Sequence, residues 1–186
     1  MKTLLLTGGS SGIGLHTVQL FAEKGWTVFE LSRSGKSTQD VTHIDCDVTD
    51  DVSVKQAISE VMQRIDHLDV VINNAGFGIS GPIEYTSTTE AQKQFDVNFF
   101  GAFRLTKAVL PILRKQGRGR IIFTSSVAAD LSIPYQSFYS ASKSALNAMA
   151  LALANEVREF GIRVSVLMPG DVATGFTDAR EKNIQG

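Results

Sequence analysis

The segment from Thr3 to Gly14 constrains the fold more than any other part of the chain. An apolar run, TLLLT, is followed by TGGSSGIG at Thr7 to Gly14 and then by a helical pattern. Gly8, Gly12 and Gly14 fall between strand and helix, where missing side chains let backbone N–H groups approach a pyrophosphate beside the positive end of the helix. Ser10, Ser11 and Ile13 belong to the same turn and join the expected cofactor contacts. A lone glycine pattern is often a bare structural turn, but the strand before it and the amphipathic helix after it point to dinucleotide binding.

The alternation continues along the chain. WTVFEL leads to a polar loop, VTHID to a helix over Val52 to Ile65, and DVVIN to a long helix over Thr89 to Lys115. RIIFTS leads to a helix over Ser137 to Phe160, and IRVSVLM follows. Six strands, each fed by a crossover, and unbroken runs such as VVI and IIF describe strands buried on both faces. The expected fold is α/β, a doubly wound parallel sheet (Rossmann fold) in three αβα layers. With 186 residues and 43% hydrophobic content, residues 1–186 are expected to form a single domain. SRSGKSTQD at 32–40 reads as a surface loop, and RKQGRGR as a solvated helix end with a Gly turn rather than a basic patch.

Lys+Arg of 18 against Asp+Glu of 19 leaves a net charge of −1, with no electrostatic drive toward nucleic acid or an anionic membrane. In MKTLLLTGG, glycines arrive before a signal-peptide apolar region forms, and no apolar stretch approaches the ~20 residues of a membrane span. A cytoplasmic protein with a small-molecule partner is expected. Cys46 is the only cysteine, so no intrachain disulfide forms, and it reads as a small buried apolar residue. His16, His43 and His67 share no metal-like spacing, so no metal is implied.

Tyr139 and Lys143 stand at i and i+4 on one helix face, so an ammonium can lie near a phenol. An unperturbed phenol titrates near ~10, and a neighbouring cation makes its phenolate accessible near neutrality. Lowering it by about three units takes roughly 4 kcal/mol, which a lysine and a positive nicotinamide can share in a dry site. Ser126 ends the RIIFTSS strand, beyond whose carboxyl end ligands of such sheets sit. Ser125 is the neighbouring candidate, and strand alternation lets only one of the two face the site. YxxxK alone is a common surface coincidence; together with the glycine turn it describes a hydride-transfer site.

The glycine spacing is GxxxGxG. With NNAG at Asn73 to Gly76, Asn98, Ser126, Tyr139, Lys143 and PGDVAT at Pro169 to Thr174, the chain resembles the short-chain dehydrogenase/reductase family in its single-domain subgroup. The resemblance covers essentially the whole chain and favours Ser126 over Ser125. It implies that Asn98 is a fourth catalytic residue, holding a water that links Lys143 to solvent. It also implies that Tyr139 and Lys143 contact the cofactor, Lys143 through the nicotinamide ribose. Asp47 and Val48 are assigned to the adenine, and Asn74, Ala75 and Gly76 to the adjacent ribose. At the Pro169–Gly170 turn backbone reaches the nicotinamide, whose carboxamide Val172 and Thr174 hold. In relatives, helices corresponding to 89–115 and 137–160 pair across a twofold axis, so a homodimer is expected. Relatives also continue with a substrate lid, a last helix and a seventh strand, whereas this sequence stops at Gly186; that C-terminal segment is expected to be missing from the sequence given.

At the end of the second strand, an acidic residue would select NAD by accepting hydrogen bonds from a free 2′-hydroxyl. This chain has Ser32 there and Arg33 next, a planar donor fork suited to a 2′-phosphate, with Lys36 adding charge. NADP(H) is therefore favoured over NAD(H), with Glu30 the rival acid if the register is shifted by two. Ile79, Ile133, Tyr135, Phe138 and Phe176 read either as an apolar wall beside the site or as core. The expected activity is hydride transfer between the nicotinamide and a ketone or aldehyde, or a secondary alcohol, with Tyr139 as general acid/base. Its rivals are a non-catalytic dinucleotide-binding or redox-sensing module and a truncated, inactive scaffold.

Overall fold

Strand β1 (Thr3–Thr7) is buried at every position and lies inside a six-stranded sheet. The computed structural model describes residues 1–172 and the backbone of 181–182. The other strands are β2 (Thr27–Ser32), β3 (Val41–Asp45), β4 (Val70–Asn73), β5 (Ile79–Ser80), β6 (Gly119–Thr124), β7 (Ile162–Leu167) and β8 (Glu181–Lys182). The main sheet runs β3-β2-β1-β4-β6-β7 with every pairing parallel. The winding reverses between β1 and β4, which opens a crevice beyond their carboxyl ends where such folds bind ligands.

The helices are α1 (Gly12–Glu23), α2 (Asp51–Met62), α3 (Thr88–Phe95), α4 (Ala102–Gln116) and α5 (Ser137–Glu156). Strand alternation divides the core between two faces. Leu5, Phe29, Val71, Ile121 and Phe123 face α2, α4 and α5 through Val54, Leu105, Val109, Leu113 and Leu146. Leu4, Leu6, Val28 and Ile72 face α1 through Val18. Three layers result, as the unbroken apolar strands require.

The strand count and the long helix need correction. Eight strands are described rather than six: β7 is seventh in chain order, and β5 and β8 form a separate two-residue parallel pair too short to show periodicity. The helix expected over 89–115 is divided into α3, a π-helical turn at Asp96–Gly101, and α4. Such turns concentrate at functional sites, and this one carries Asn98. At Gly101 it also meets Val48 so closely that an added Cβ would lie 2.8 Å from a Val48 methyl.

Smaller expectations are met. Gly117 caps α4 in the left-handed conformation (φ 67°) within RKQGRGR. Cys46 is 3% exposed. Among the described residues, no helix is long and apolar enough to cross a membrane.

Candidate active site

The glycine turn is built by close approach. Gly8 adopts φ 73°, and a Cβ on Gly14 would overlap the Gly8 carbonyl oxygen and crowd the Asn74 amide. Ser11 occupies the N-cap of α1 with no side-chain capping bond, and the first turn contains no acidic residue. The helix therefore presents its N-terminal N–H groups and positive dipole end to the crevice.

NNAG is stitched onto this turn. Thr7 Oγ1 accepts from the N–H groups of Asn74 and Ala75, both at 3.1 Å. The Asn74 amide donates to the carbonyls of Thr7 and Gly8, again at 3.1 Å. Thr7 is thus an organiser that sequence reasoning passed over as a strand residue.

Glu30 is not the rival ribose acceptor. Its side chain lies buried beneath the turn, where Oε1 accepts from Gly9 N–H at 3.0 Å and Oε2 meets His43 Nδ1. The residues at the crevice edge are Ser32 and the exposed Arg33. Ser32 Oγ is buried with no hydrogen-bond partner among the described residues. Asp47 both lines the crevice and shapes its own loop, its Oδ1 accepting from the N–H and hydroxyl of Thr49. Burial pushes the Asp47 carboxyl upward, but the Thr49 bonds and the fields of Arg33 and Arg104 outweigh it, leaving a lowered pKa. Arg104 braces Val48 by donating to its carbonyl at 3.2 Å.

At the other end, α5 brings together two buried residues, Tyr139 at 7% and Lys143 at 4% exposure. The ammonium lies 5.7 Å from the centroid of the Tyr139 ring and donates to the Thr124 carbonyl at 2.7 Å. Its desolvation lowers the Lys143 pKa to about 8. Ser125 is turned inward, its hydroxyl 3.4 Å from the Lys143 carbonyl. Ser126 Oγ accepts from Ala128 N–H at 3.1 Å, which leaves its own proton to donate.

Asn98 is 1% exposed and lies behind the cleft wall. Its Oδ1 accepts from Phe77 N–H at 3.0 Å, while Nδ2 donates to the Phe77 carbonyl and to Ser142 Oγ. A Cβ on Gly76 would lie 3.1 Å from Asn98 Oδ1 and 3.5 Å from Lys143 Nζ, so both polar groups converge on that glycine. Gln94 assists by donating to the same Phe77 carbonyl at 2.7 Å. Its position one helical turn before Asn98 was the available signal.

One cleft of ≈ 650 Å³ connects the two ends. It is lined by Gly8, Ser10, Ser11, Gly12, Ile13 and Gly14, by Ser32, Arg33, Asp47 and Val48, and by Asn74, Ala75 and Gly76. Ser126, Tyr139, Lys143, Pro169, Gly170 and Val172 also line it. Thr174 and Phe176 lie outside the described residues. Of the described residues of the apolar wall, Ile133 alone lines this cleft; Ile79, Tyr135 and Phe138 border a separate small pocket. Phe77, Lys93, Val97 and Gln136 line the cleft and were not read from the sequence.

A family profile described as short chain dehydrogenase matches residues 2–185. The chain is 45% identical over 180 residues to a 3-ketodihydrosphingosine reductase of Bacteroides thetaiotaomicron, covering 96% of this chain and 67% of that one. A crystal structure of a short-chain dehydrogenase from Streptomyces avermitilis superposes with a TM-score of 0.93 at 33% identity, covering 100% of this chain and 72% of that one. The structure of ElxO with NADP bound superposes with a TM-score of 0.89 at 28% identity, covering 93% and 75%. Fold, site geometry and sequence therefore agree that the chain belongs to the short-chain dehydrogenase/reductase family of oxidoreductases.

Proposed function

We propose that this chain transfers hydride from NADPH to a ketone or aldehyde, or to NADP from a secondary alcohol, with Tyr139 as general acid/base. The observation that carries this reading is the opening of Tyr139, Lys143 and Ser126 into the same cleft as the glycine turn. The cleft suits a dinucleotide on its own chemistry. Gly8 and Gly14 stand where a Cβ would collide with the turn's own backbone, Asn74 or Ala75, the first turn of α1 is free of acidic side chains, and Ser32 Oγ at the adenosine end is a buried polar atom lacking a partner among the described residues. Gly8 to Gly14 would hold the pyrophosphate, Asp47 and Val48 the adenine, and Asn74 to Gly76 the ribose beside it. Val172 would meet the nicotinamide. Arg33 would read a 2′-phosphate.

When bound, the nicotinamide supplies or accepts the hydride. Ser126 donates its free proton to the substrate oxygen and fixes its orientation. Tyr139 gives its phenolic proton to that oxygen during reduction and takes it back during oxidation. Lys143, cationic below a pKa of about 8, stabilises the phenolate that remains. Asn98 holds the Phe77 backbone and Ser142 in place around Lys143.

A ketone on a long apolar chain is the first substrate class to test. The relative named 3-ketodihydrosphingosine reductase supports this choice, as do Phe77, Val97 and Ile133 along the cleft. The experiment is NADPH oxidation against a panel of aliphatic, steroidal and aromatic ketones and aldehydes. Turnover in the parent that is lost in Tyr139→Phe supports the reading. NADPH binding without turnover of any carbonyl or alcohol would favour a non-catalytic sensor.

A further inference from the structure

Glu30, buried, and His43, partly buried, form a close carboxylate–imidazole pair beneath the glycine turn that the reaction itself does not use. Glu30 is 3% exposed, and its two carboxylate oxygens are divided between Gly9 N–H at 3.0 Å and His43 Nδ1 at 2.5 Å. The other ring nitrogen, Nε2, lies 3.1 Å from Asp45 Oδ1. Both imidazole nitrogens thus face carboxylates. A neutral imidazole has one donor and would turn a lone pair toward one of them, whereas an imidazolium donates to both.

The chain is shaped around this pair. A Cβ on Gly9 would overlap Glu30 Cγ, and a Cβ on Gly35 would overlap both Glu30 Oε2 and His43 Nδ1. Gly35 belongs to the loop that carries Arg33, and that loop is fastened to the same histidine where His43 N–H donates to Ser37 Oγ at 3.0 Å. The pair therefore touches both the turn suited to a pyrophosphate and the loop suited to a 2′-phosphate.

We propose that Glu30 and His43 are positioning residues that couple the proton on His43 to dinucleotide affinity, a cationic His43 tightening binding and a neutral one loosening it. This inference rests on the reading of the cleft as a dinucleotide site. Without the imidazolium, the Glu30 carboxylate faces the turn uncompensated and repels an incoming pyrophosphate. The effect should be larger for NADPH than for NADH, because Arg33, which would read the additional phosphate, belongs to the same loop.

The charge environment favours the proton. Burial, the largest single influence, disfavours the imidazolium, but the bonds to Glu30 and Asp45 and their negative fields together raise the His43 pKa above 6.5. Glu30 and Asp45 are its ion-pair partners among the described residues. Arg33, Lys36 and Asp40 of the loop are exposed, as are His16 and Glu23 on α1 and Asp51 and Lys55 on α2, and Glu60 on α2 is half-buried. Affinity should therefore fall as pH rises through the His43 pKa. Lys143, lowered to about 8, titrates in the same window, so the share of His43 is the difference between the parent and His43→Gln.

The test has two readouts. First, NADPH and NADH dissociation constants are measured for the parent, His43→Gln and Glu30→Gln between about pH 6 and about pH 9. The parent should lose roughly three- to tenfold more NADPH affinity across that range than His43→Gln. Second, the His43 ring is titrated by NMR, which three histidines and the His43→Gln variant make assignable. Its pKa should lie above 6.5 in the free protein, fall in Glu30→Gln, and rise when NADPH is added, since linkage is reciprocal. Equal pH profiles in parent and His43→Gln, or a His43 pKa indifferent to NADPH, overturn the proposal and leave dinucleotide binding intact. A parent that binds neither nucleotide at any pH overturns the dinucleotide reading and this inference with it.

Discussion

The Lys143 ammonium donates to the Thr124 carbonyl at 2.7 Å, fixing a charge in the interior where β6 ends. Desolvation lowers its pKa from 10.5 to about 8, so between those values the unfolded chain binds more protons than the folded one. Stability contributed by this group therefore rises with pH from about 8 to 10.5, and below about 8 the full penalty is present. The penalty is on the order of 3 kcal/mol. Lys143→Met should raise stability at neutral pH by about 1–3 kcal/mol and flatten that alkaline rise while abolishing turnover. Urea unfolding of both proteins across this pH range checks it. A less stable Lys143→Met would mean that the Thr124 bond outweighs the burial of charge.

Tyr139→Phe isolates the proton. The ring is 7% exposed and keeps its packing, so only the hydroxyl is removed. Turnover should fall by at least ~10²-fold while NADPH affinity stays within about twofold. Comparable turnover in the two proteins would transfer the acid/base role elsewhere.

Arg33→Ala should weaken NADPH about 10–100-fold and NADH little, as the loss of a charge-assisted bond predicts. Ser32→Asp should move preference further toward NADH by placing a carboxylate beside the 2′ position. Titrating each variant with both cofactors decides it, and equal losses would assign Arg33 to the loop's structure.

Gly14→Ala should destabilise the protein by about 1–3 kcal/mol and abolish dinucleotide binding, because the new methyl meets the Gly8 carbonyl, which is backbone and cannot rotate away. Gly170→Ala is the control, since among the described residues a Cβ there meets nothing within 4 Å. Thermal melts of the two variants compare them directly.

The sheet and the site were legible for different reasons. Buried parallel strands announce themselves as unbroken apolar runs, so all six strands of the main sheet were readable and only the two-residue β5 and β8 escaped. Tyr139, Lys143 and the glycines were readable because local spacing carries their chemistry. Glu30 and His43 were not, because thirteen residues and a strand crossover separate them and only the sheet register brings them together. The π-helical turn at Asn98 escaped for a similar reason. Its surroundings have the apolar period of an ordinary helix, and the contact that marks it, Gly101 against Val48, joins residues far apart in the sequence.

The last prediction concerns the outer face of the π-helical turn, α4 and α5. Leu105, Val109 and Leu113 of α4 are fully buried, and Leu146 and Leu153 of α5 are buried in the same core. Phe100 and Phe103 nevertheless remain 46% and 42% exposed, and Leu151 67% exposed. Full burial of such a side chain contributes about 1.5–3 kcal/mol. We propose that these faces meet in a homodimer, whose self-complementary contact places the same residues on both sides of a twofold axis. Sedimentation at micromolar concentration should give twice the 20.1 kDa chain mass. Phe103→Lys with Leu151→Arg should shift the species to a monomer without unfolding it, because neither side chain belongs to the buried core. A monomeric parent would mean that these side chains meet something other than a second copy of the chain.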